Sequence, residues 1–360
     1  MSNQKLRIAV LFGGVSSEHE ISQHSAASII TNLSAEKYDV FSIGITREGQ
    51  WLLYRGPVEN IRSGSWAQDP GNIPAIISPD RINSGIIVME GIQCQRIPLD
   101  VIFPVLHGKN GEDGTMQGLF TLSGIPYVGC DTLSSAVCMD KAVTHTLLSG
   151  ARDIEQTNYL WFYADRYSTA AEAIKDKIEA RLVYPVFVKP ANAGSSVGVS
   201  KVYNRDGLDE AIRKAAAEDK KILVENGVIG QEVECAVVGN RDASASCVGE
   251  ISTSAEFYDY DDKYVNGTSS CIIPANIPAD TAQKVKDAAI RAYRHLGCSG
   301  LARVDFFVTQ TQQVILNEIN TMPGFTDISM YAKLWQADGI SYGDLLDRLI
   351  ALALVNGKSA

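Results

Sequence analysis

Nowhere in the 360 residues does an apolar run approach the roughly 20 residues of a membrane-spanning helix, and the opening residues lead straight into a strand-like segment without a cleavage site. A cytoplasmic location with no membrane partner is expected. Positive charge is also scarce: 32 Lys and Arg stand against 42 Asp and Glu, for a net charge of −10. A chain this acidic is repelled by a phosphate polymer, so nucleic acid is excluded as the main partner unless a local basic groove exists. Paired cysteines are missing too. The seven Cys are scattered and never form CxxC, which argues against a disulfide framework or a thiolate zinc site and for reduced, mostly buried thiols. Long single-sign blocks, repeats and proline-rich tracts are absent, and this excludes global disorder and collagen-like structure. What remains is a globular chain: 45% of its residues are hydrophobic, and at roughly 150 residues per domain its length allows two or three domains.

The apolar run 6–12 ends in Gly13-Gly14, a helical spacing follows through Ala26, Ile29, Ile30 and Leu33, and a second apolar run covers 40–45. Strand, helix, strand in this order predicts a right-handed βαβ unit with its loops at the carboxyl ends of the strands, where ligands bind. The stretch 56–95 is rich in Pro, Gly, Ser and Asn, and no regular structure is assigned to it. A core strand at 101–106, a short helix from about Met116 to Gly124 and a longer helix over 133–148 come next. Strands at 159–163, 186–189, 197–202 and 222–225, with helices at 169–180 and 208–217, predict a small α+β domain. The last block carries strands at 233–238, 247–251, 302–308 and 314–319 and helices at 279–296 and 342–355. Domain boundaries are expected at 1–129, 130–224 and 225–360.

Five segments carry chemistry. In VFVKPANAGSSVGVSKV, residues 186–202, two β-branched strands flank a Gly-Ser loop whose N–H groups and hydroxyls suit a polyphosphate, with Lys189 beside it as a point charge. The GxxxxGK[ST] string of a P-loop is missing, and an ordinary flexible hairpin fits the same letters. In ARVDFFVTQTQQVILNEIN, residues 302–320, a four-residue turn at 310–313 would pair Thr309 with Val314 and set Asp305 opposite Glu318 and Arg303 opposite Asn320, all four on one face. Two carboxylates about 4 Å apart repel by about 4 kcal/mol at an effective dielectric near 20, so a cation belongs between them. Oxygens of Asp, Glu and Asn suit Mg²⁺, while Arg303 and water are the alternative partners. In KILVENGVIGQEVE, residues 221–234, a strand ending in Glu-Asn-Gly exposes backbone groups that an adenine ring can read, and Glu232 follows at ribose distance. The same pattern fits any strand and turn. At 11–22, LFGGVSSEHEIS lacks GxGxxG, which disfavours a nicotinamide cofactor; Glu18 suits either an ammonium group in a cleft or the start of a helix. The polar, tyrosine-rich 256–270 suggests a lid.

Taken in order, these segments resemble the D-alanine–D-alanine ligases of the ATP-grasp superfamily, from residue 6 to about 354. The resemblance rests on GGxSxEHExS at 13–22, HGxxGEDG at 107–114, MDK at 139–141, GSSVGVSKV at 194–202, FYDYxxKY at 257–264, RVD at 303–305 and NEINTxPGFT at 317–326. It implies a three-domain ATP-grasp fold, α/β and α+β, with a parallel-sheet βαβ domain first, and ATP bound between the second and third domains. It further implies that Lys141 and Lys189 hold the α- and β-phosphates, that Glu225, the backbone at Asn226 and Val228, and Glu232 bind adenine and ribose, and that Ser196 and Phe257 complete the nucleotide site. Asp305, Glu318 and Asn320 would hold two Mg²⁺ ions, with Mn²⁺ as a substitute. Glu18 would take the ammonium of the first D-alanine, and Ser195 with Tyr264 would tie it to the lid. His107 lies near the first carboxylate by this resemblance, Lys263 is the γ-phosphate partner, Arg303 and the Gly324 N–H are oxyanion donors, and Ser329 binds the second carboxylate. A homodimer is implied as well.

The chain departs from the family's usual entry to the second domain, where a Gly-Ile-Pro-like stretch is replaced by Ala151-Arg152-Asp153-Ile154-Glu155. Three alternatives stay open: D-serine as second substrate, for which Met330 is the wall residue to inspect, D-lactate, which the FYDYDDKY lid disfavours, and a non-catalytic nucleotide-binding protein, which the intact acidic set and lysines disfavour.

Overall fold

The computed structural model describes residues 4–151, 153–252, 270–326 and 328–357. Among these residues the strands form three sheets. The first runs Gln93–Ile97, Ile86–Glu90, Ile73–Ile77, Trp51–Tyr54, Tyr38–Ile45, Leu6–Gly13, Val101–Val105. Leu6–Gly13 pairs in parallel with both neighbours across the helix His19–Asn32, as the βαβ reading expects. The expected parallel βαβ unit is thus the three-strand part of this sheet, and the strands added beyond Tyr38–Ile45 are antiparallel. Residues 56–95, left unassigned from sequence, contain the helix Val58–Ser63 and three of these strands. Each of the three strands is only five residues long, so neither run length nor periodicity announces them. Gly13 turns the chain out of the sheet at φ +87°, where a Cβ would lie 2.2 Å from the Ile45 carbonyl oxygen.

The second sheet is small and antiparallel, in the order Ser200–Val202, Val186–Pro190, Lys221–Asn226, Tyr159–Tyr163, with the helices Ala164–Arg181 and Leu208–Glu218 packed on it. The third is built on Gly230–Gly239, flanked by Ser244–Ser252 on one side and by the hairpin Gly300–Thr309 and Val314–Asn320 on the other. Its edge strands are Ser270–Ile272, beside Ser244–Ser252, and Glu155–Gln156, paired in parallel with Val314–Asn320, and residues 130–154 also pack into its core.

Two expected elements take a different form. The single helix over 133–148 is two, Thr132–Met139 and Lys141–Leu148, because Asp140 leaves helical geometry and accepts a hydrogen bond from the Val143 N–H (3.1 Å), capping the second helix. The helix Met330–Ala337 has no counterpart in the sequence reading; it packs on Ser244–Ser252 and Gly230–Gly239 of the third sheet, and with Tyr342–Gly357 it joins a cluster that takes in one face of the first. The seven thiols are free: Cys130, Cys138, Cys235 and Cys298 are buried, while Cys94 and Cys271 are exposed. Among the described residues no helix is long and apolar enough to cross a membrane.

Candidate active site

Two cavities, about 540 and about 800 Å³, open where the three sheets converge. They meet at Lys141, Ser195 and Glu318, which line both. The smaller lies between the second and third sheets, and the larger between the first and third.

In the smaller cavity Lys189 and Glu225 sit on adjacent antiparallel strands. The Lys189 ammonium contacts one carboxylate oxygen of Glu225, and His145 Nε2 lies 3.5 Å from the other. Burial opposes the charge on Glu225, but Lys189 and the hydrogen bond from His145 outweigh it and pull the carboxyl down to about 2. Asn226, Val228 and Glu232 line the same cavity, beside the strand end that leads from the second sheet to the third. The Asn226 groups are engaged within the protein: its Oδ1 accepts the Val183 N–H at 2.9 Å, its N–H donates to the Asn158 carbonyl at 3.0 Å and its carbonyl accepts from Thr157 Oγ1 at 3.2 Å. Ser196 also lines this cavity, in the loop joining the strands Val186–Pro190 and Ser200–Val202. Ser195 and Ser196 are both left-handed, at φ +51° and +58°, an arrangement that bends the loop back over the junction.

At the junction Lys141 donates to the Ala193 carbonyl (2.8 Å) and approaches Glu318 Oε2 at 3.3 Å. Asp305 is paired with Glu318, and Arg303 with Asn320, as expected. The route to that register is not the expected one. Thr309 N bonds to Gln313 O, so the turn is 310–312 with Gln312 at φ +61°, and the ladder starts one residue out of step. An irregularity at Asn317, where the partner of Asp305 is Glu318 and that of Phe306 is Leu316, restores the pairing. Arg303 grips Asp305 with Nε and Nη2, at 2.8 and 2.7 Å, and reaches Glu234 Oε2 at 3.1 Å. Burial disfavours its charge, and the two carboxylates more than offset that, so its pKa is raised. Asp305, Glu318 and Asn320 supply two carboxylates and an amide oxygen, a hard donor set that fits Mg²⁺. Among the described residues no cluster of three or more His, Cys, Asp or Glu offers another metal site.

In the larger cavity Glu18 begins the helix His19–Asn32, but its carboxylate makes no capping bond; it accepts instead from Ser195 Oγ at 2.5 Å. That hydrogen bond joins the first sheet's unit to the phosphate-loop candidate across 177 residues of chain. His107 is buried, with Nδ1 donating to the Met322 carbonyl (3.0 Å) and Nε2 3.2 Å from Ser25 Oγ. Burial opposes its proton, but Glu112, 3.8 Å away, more than compensates, and its pKa is raised. Gly324, Ser329 and Met330 line the opposite wall, where Ser329 Oγ accepts the Thr326 N–H at 2.9 Å. Phe257, Lys263 and Tyr264 lie outside the described residues.

Profiles described as "D-ala D-ala ligase N-terminus" and "D-ala D-ala ligase C-terminus" match residues 7–130 and 148–351. The chain belongs to the D-alanine–D-alanine ligase family. The D-alanine–D-alanine ligases of Caldicellulosiruptor bescii and Acetivibrio thermocellus are 51% and 50% identical to it, over 98% and 97% of this chain and 96% of each relative. Among solved structures, the VanG D-Ala:D-Ser ligase of Enterococcus faecalis superposes with a TM-score of 0.89 at 43% identity, over 97% of this chain and 100% of that one. The D-alanine–D-alanine ligase of Coxiella burnetii gives 0.83 at 34% identity, over 99% and 95%. The family is one of ATP-dependent ligases, and the ATP-grasp architecture agrees with these neighbours.

In this ligase-family chain, sequence reasoning passed over His145, Glu112 and Glu234. His145 stands four residues after Lys141 on one helix, a spacing that puts both on the same face and could have drawn attention to it. Glu234 shares strand parity with Glu232 and pairs with Asp305, a signal available only once the strand partners are known.

Proposed function

We propose that this protein joins two D-alanine molecules, with ATP as co-substrate, to make D-alanyl-D-alanine for the cell wall. The observation that carries this reading is the meeting of the two cavities at Lys141, Ser195 and Glu318. A nucleotide in the smaller cavity would point its terminal phosphate at an amino acid in the larger one. In this reading Glu225, the backbone of Asn226 and Val228, Glu232 and Phe257 hold adenine and ribose, and Lys141, Lys189 and Ser196 hold phosphates. Asp305, Glu318 and Asn320 would hold Mg²⁺, two ions in all and Mn²⁺ in its place, which would disperse the charge of the transferring phosphoryl group.

Glu18, held by Ser195 and continued to the lid by Tyr264, receives the ammonium of the first D-alanine, and His107 lies near its carboxylate. That carboxylate attacks the γ-phosphorus in line, with Lys263 beside it, and leaves ADP and an acyl phosphate. The amine of the second D-alanine, deprotonated and aligned by Ser329 at its carboxylate and Met330 at its methyl, adds to the acyl carbon. Arg303 and the Gly324 N–H stabilise the oxyanion, and phosphate leaves. A closed site keeps water from the acyl phosphate.

Domains 1–129, 130–224 and 225–360, a homodimer and a cytoplasmic location belong to the same proposal; the profile boundary at 130 supports the first division. The test is phosphate release from ATP and Mg²⁺ with D-alanine alone, with the product identified by mass. D-alanyl-D-alanine formed in step with phosphate supports the reading, and no D-alanine-dependent release overturns it. The likeness to a D-Ala:D-Ser ligase motivates a second arm with D-serine added. A predominant mixed dipeptide at equal concentrations would move the assignment to that acceptor.

A further inference from the structure

His145 has no part in the chemistry above, yet its ring is buried behind Glu225 and held at one face and at both nitrogens. It stacks on Tyr159, with centroids 4.6 Å apart and planes at 25°. Its Nδ1 lies 2.8 Å from Gln156 Oε1, while Gln156 Nε2 donates to the His145 carbonyl at 3.4 Å. Because the amide nitrogen is used on that carbonyl, the amide oxygen faces the ring, and Nδ1 carries a hydrogen. Nε2 then points at Glu225 Oε2, 3.5 Å away, where a bare lone pair would oppose a carboxylate. Nε2–H is therefore the donor toward Glu225.

Glu225 thus has two partners, Lys189 at one oxygen and His145 at the other. The two differ in freedom. Lys189 is a long side chain at the cavity wall, able to turn to a phosphate, whereas His145 is clamped by Gln156 and Tyr159. A buried carboxylate stripped of both partners would be strongly disfavoured. We infer that His145 is a positioning residue for nucleotide binding, holding Glu225 ionised and oriented when Lys189 turns from it to the phosphates. The inference rests on the proposed reading that Glu225 and Lys189 face ATP. It also gives the short strand Glu155–Gln156 a purpose: anchored to the third sheet, it holds a ring that serves the second.

The experiment is steady-state ligation by the full chain, with ATP and D-alanine varied in turn. His145→Leu and His145→Asn are expected to raise the KM for ATP about ten-fold, the size of a lost charge-assisted hydrogen bond, while His145→Gln stays within about three-fold. The Gln amide nitrogen reaches the place of Nε2 and the Asn amide only that of Nδ1, so the split between them separates donation to Glu225 from mere filling of space. The KM for D-alanine and kcat are expected within about two-fold of the parent throughout, since neither depends on this contact. Gln156→Leu, which keeps the imidazole and removes its clamp, should raise the KM for ATP about three-fold and serves if His145→Leu fails to fold. An unchanged KM for ATP in both His145→Leu and Gln156→Leu overturns the inference. So does a rise matched by kcat and the KM for D-alanine, or a Gln variant as impaired as Asn. Glu225→Gln separates the two levels: if it weakens ATP use and the His145 variants do not, the inference falls and the nucleotide reading stands; if none of them does, both fall.

Discussion

Gly108 sits close against two side chains of the larger cavity's edge. Its φ is +73°, and a Cβ there would lie 2.6 Å from Glu18 Oε2 and 2.7 Å from Ser16 Oγ. Gly108→Ala is therefore expected to strain the backbone, lowering stability by about 1 kcal/mol or more, and to push the Glu18 carboxylate away from Ser195. Thermal unfolding checks the first effect. The second should appear as a higher KM for D-alanine with the KM for ATP unchanged, because the clash lies in the larger cavity alone. Glu225 makes a different prediction. Its carboxyl is drawn from about 4.5 down to about 2. A depressed carboxyl stabilises the folded state fully above its unfolded value and loses that contribution as pH falls through the folded one, so the window runs from about 4.5 to about 2. Glu225→Gln should cost on the order of 3 kcal/mol at neutral pH. Denaturant unfolding at a series of pH values should show the gap between parent and variant closing across that window.

At the scale of elements, the break at Asp140 decides where Lys141 stands. Asp140 caps the helix that Lys141 opens, and its other oxygen takes the Lys221 ammonium. Asp140→Ala should lower stability by about 1 to 2 kcal/mol and raise the KM for ATP, since both the helix start and the cavity-lining lysine shift. Calorimetry and ATP-dependent kinetics check the two halves. How far such elements could be read beforehand depends on how local their causes are. The βαβ start, the core strands and the facing of Asp305 with Glu318 follow from apolar runs and strand parity. The last came out right through two compensating departures, a shorter turn and the extra residue at Asn317, since turn length and bulges are settled by packing and not by periodicity. The antiparallel strands within 73–97 escaped because five-residue strands between turns carry little periodic signal. The motifs marked Glu18, Lys189 and Glu225, whereas His145 and Glu234 gain their meaning only from partners far away in the chain.

For the whole molecule the decisive fact is which parts own a core. The second sheet and its helices enclose their own cluster, around Ile178, Val188 and Val224. The first sheet has one of its own on a single face, around Leu11, Ile43 and Phe120; on its other face Ile8, Val10 and Phe12 join Ile29 and Trp66 in a cluster that also takes in Tyr331, Leu345 and Leu349 from the chain's last helices. A fragment of residues 157–226 is therefore expected to unfold cooperatively on heating, and a fragment of residues 1–130, with its second cluster incomplete, to melt at lower temperature or to aggregate; circular dichroism melts and light scattering check both. These last helices come about 200 residues after the sheet whose cluster they complete. At about 5 to 20 residues per second, a ribosome would leave that cluster incomplete for about 10 to 40 seconds. Birth order and completion order run opposite ways in this chain, and the newborn amino-terminal half must be shielded from its neighbours until its own tail arrives.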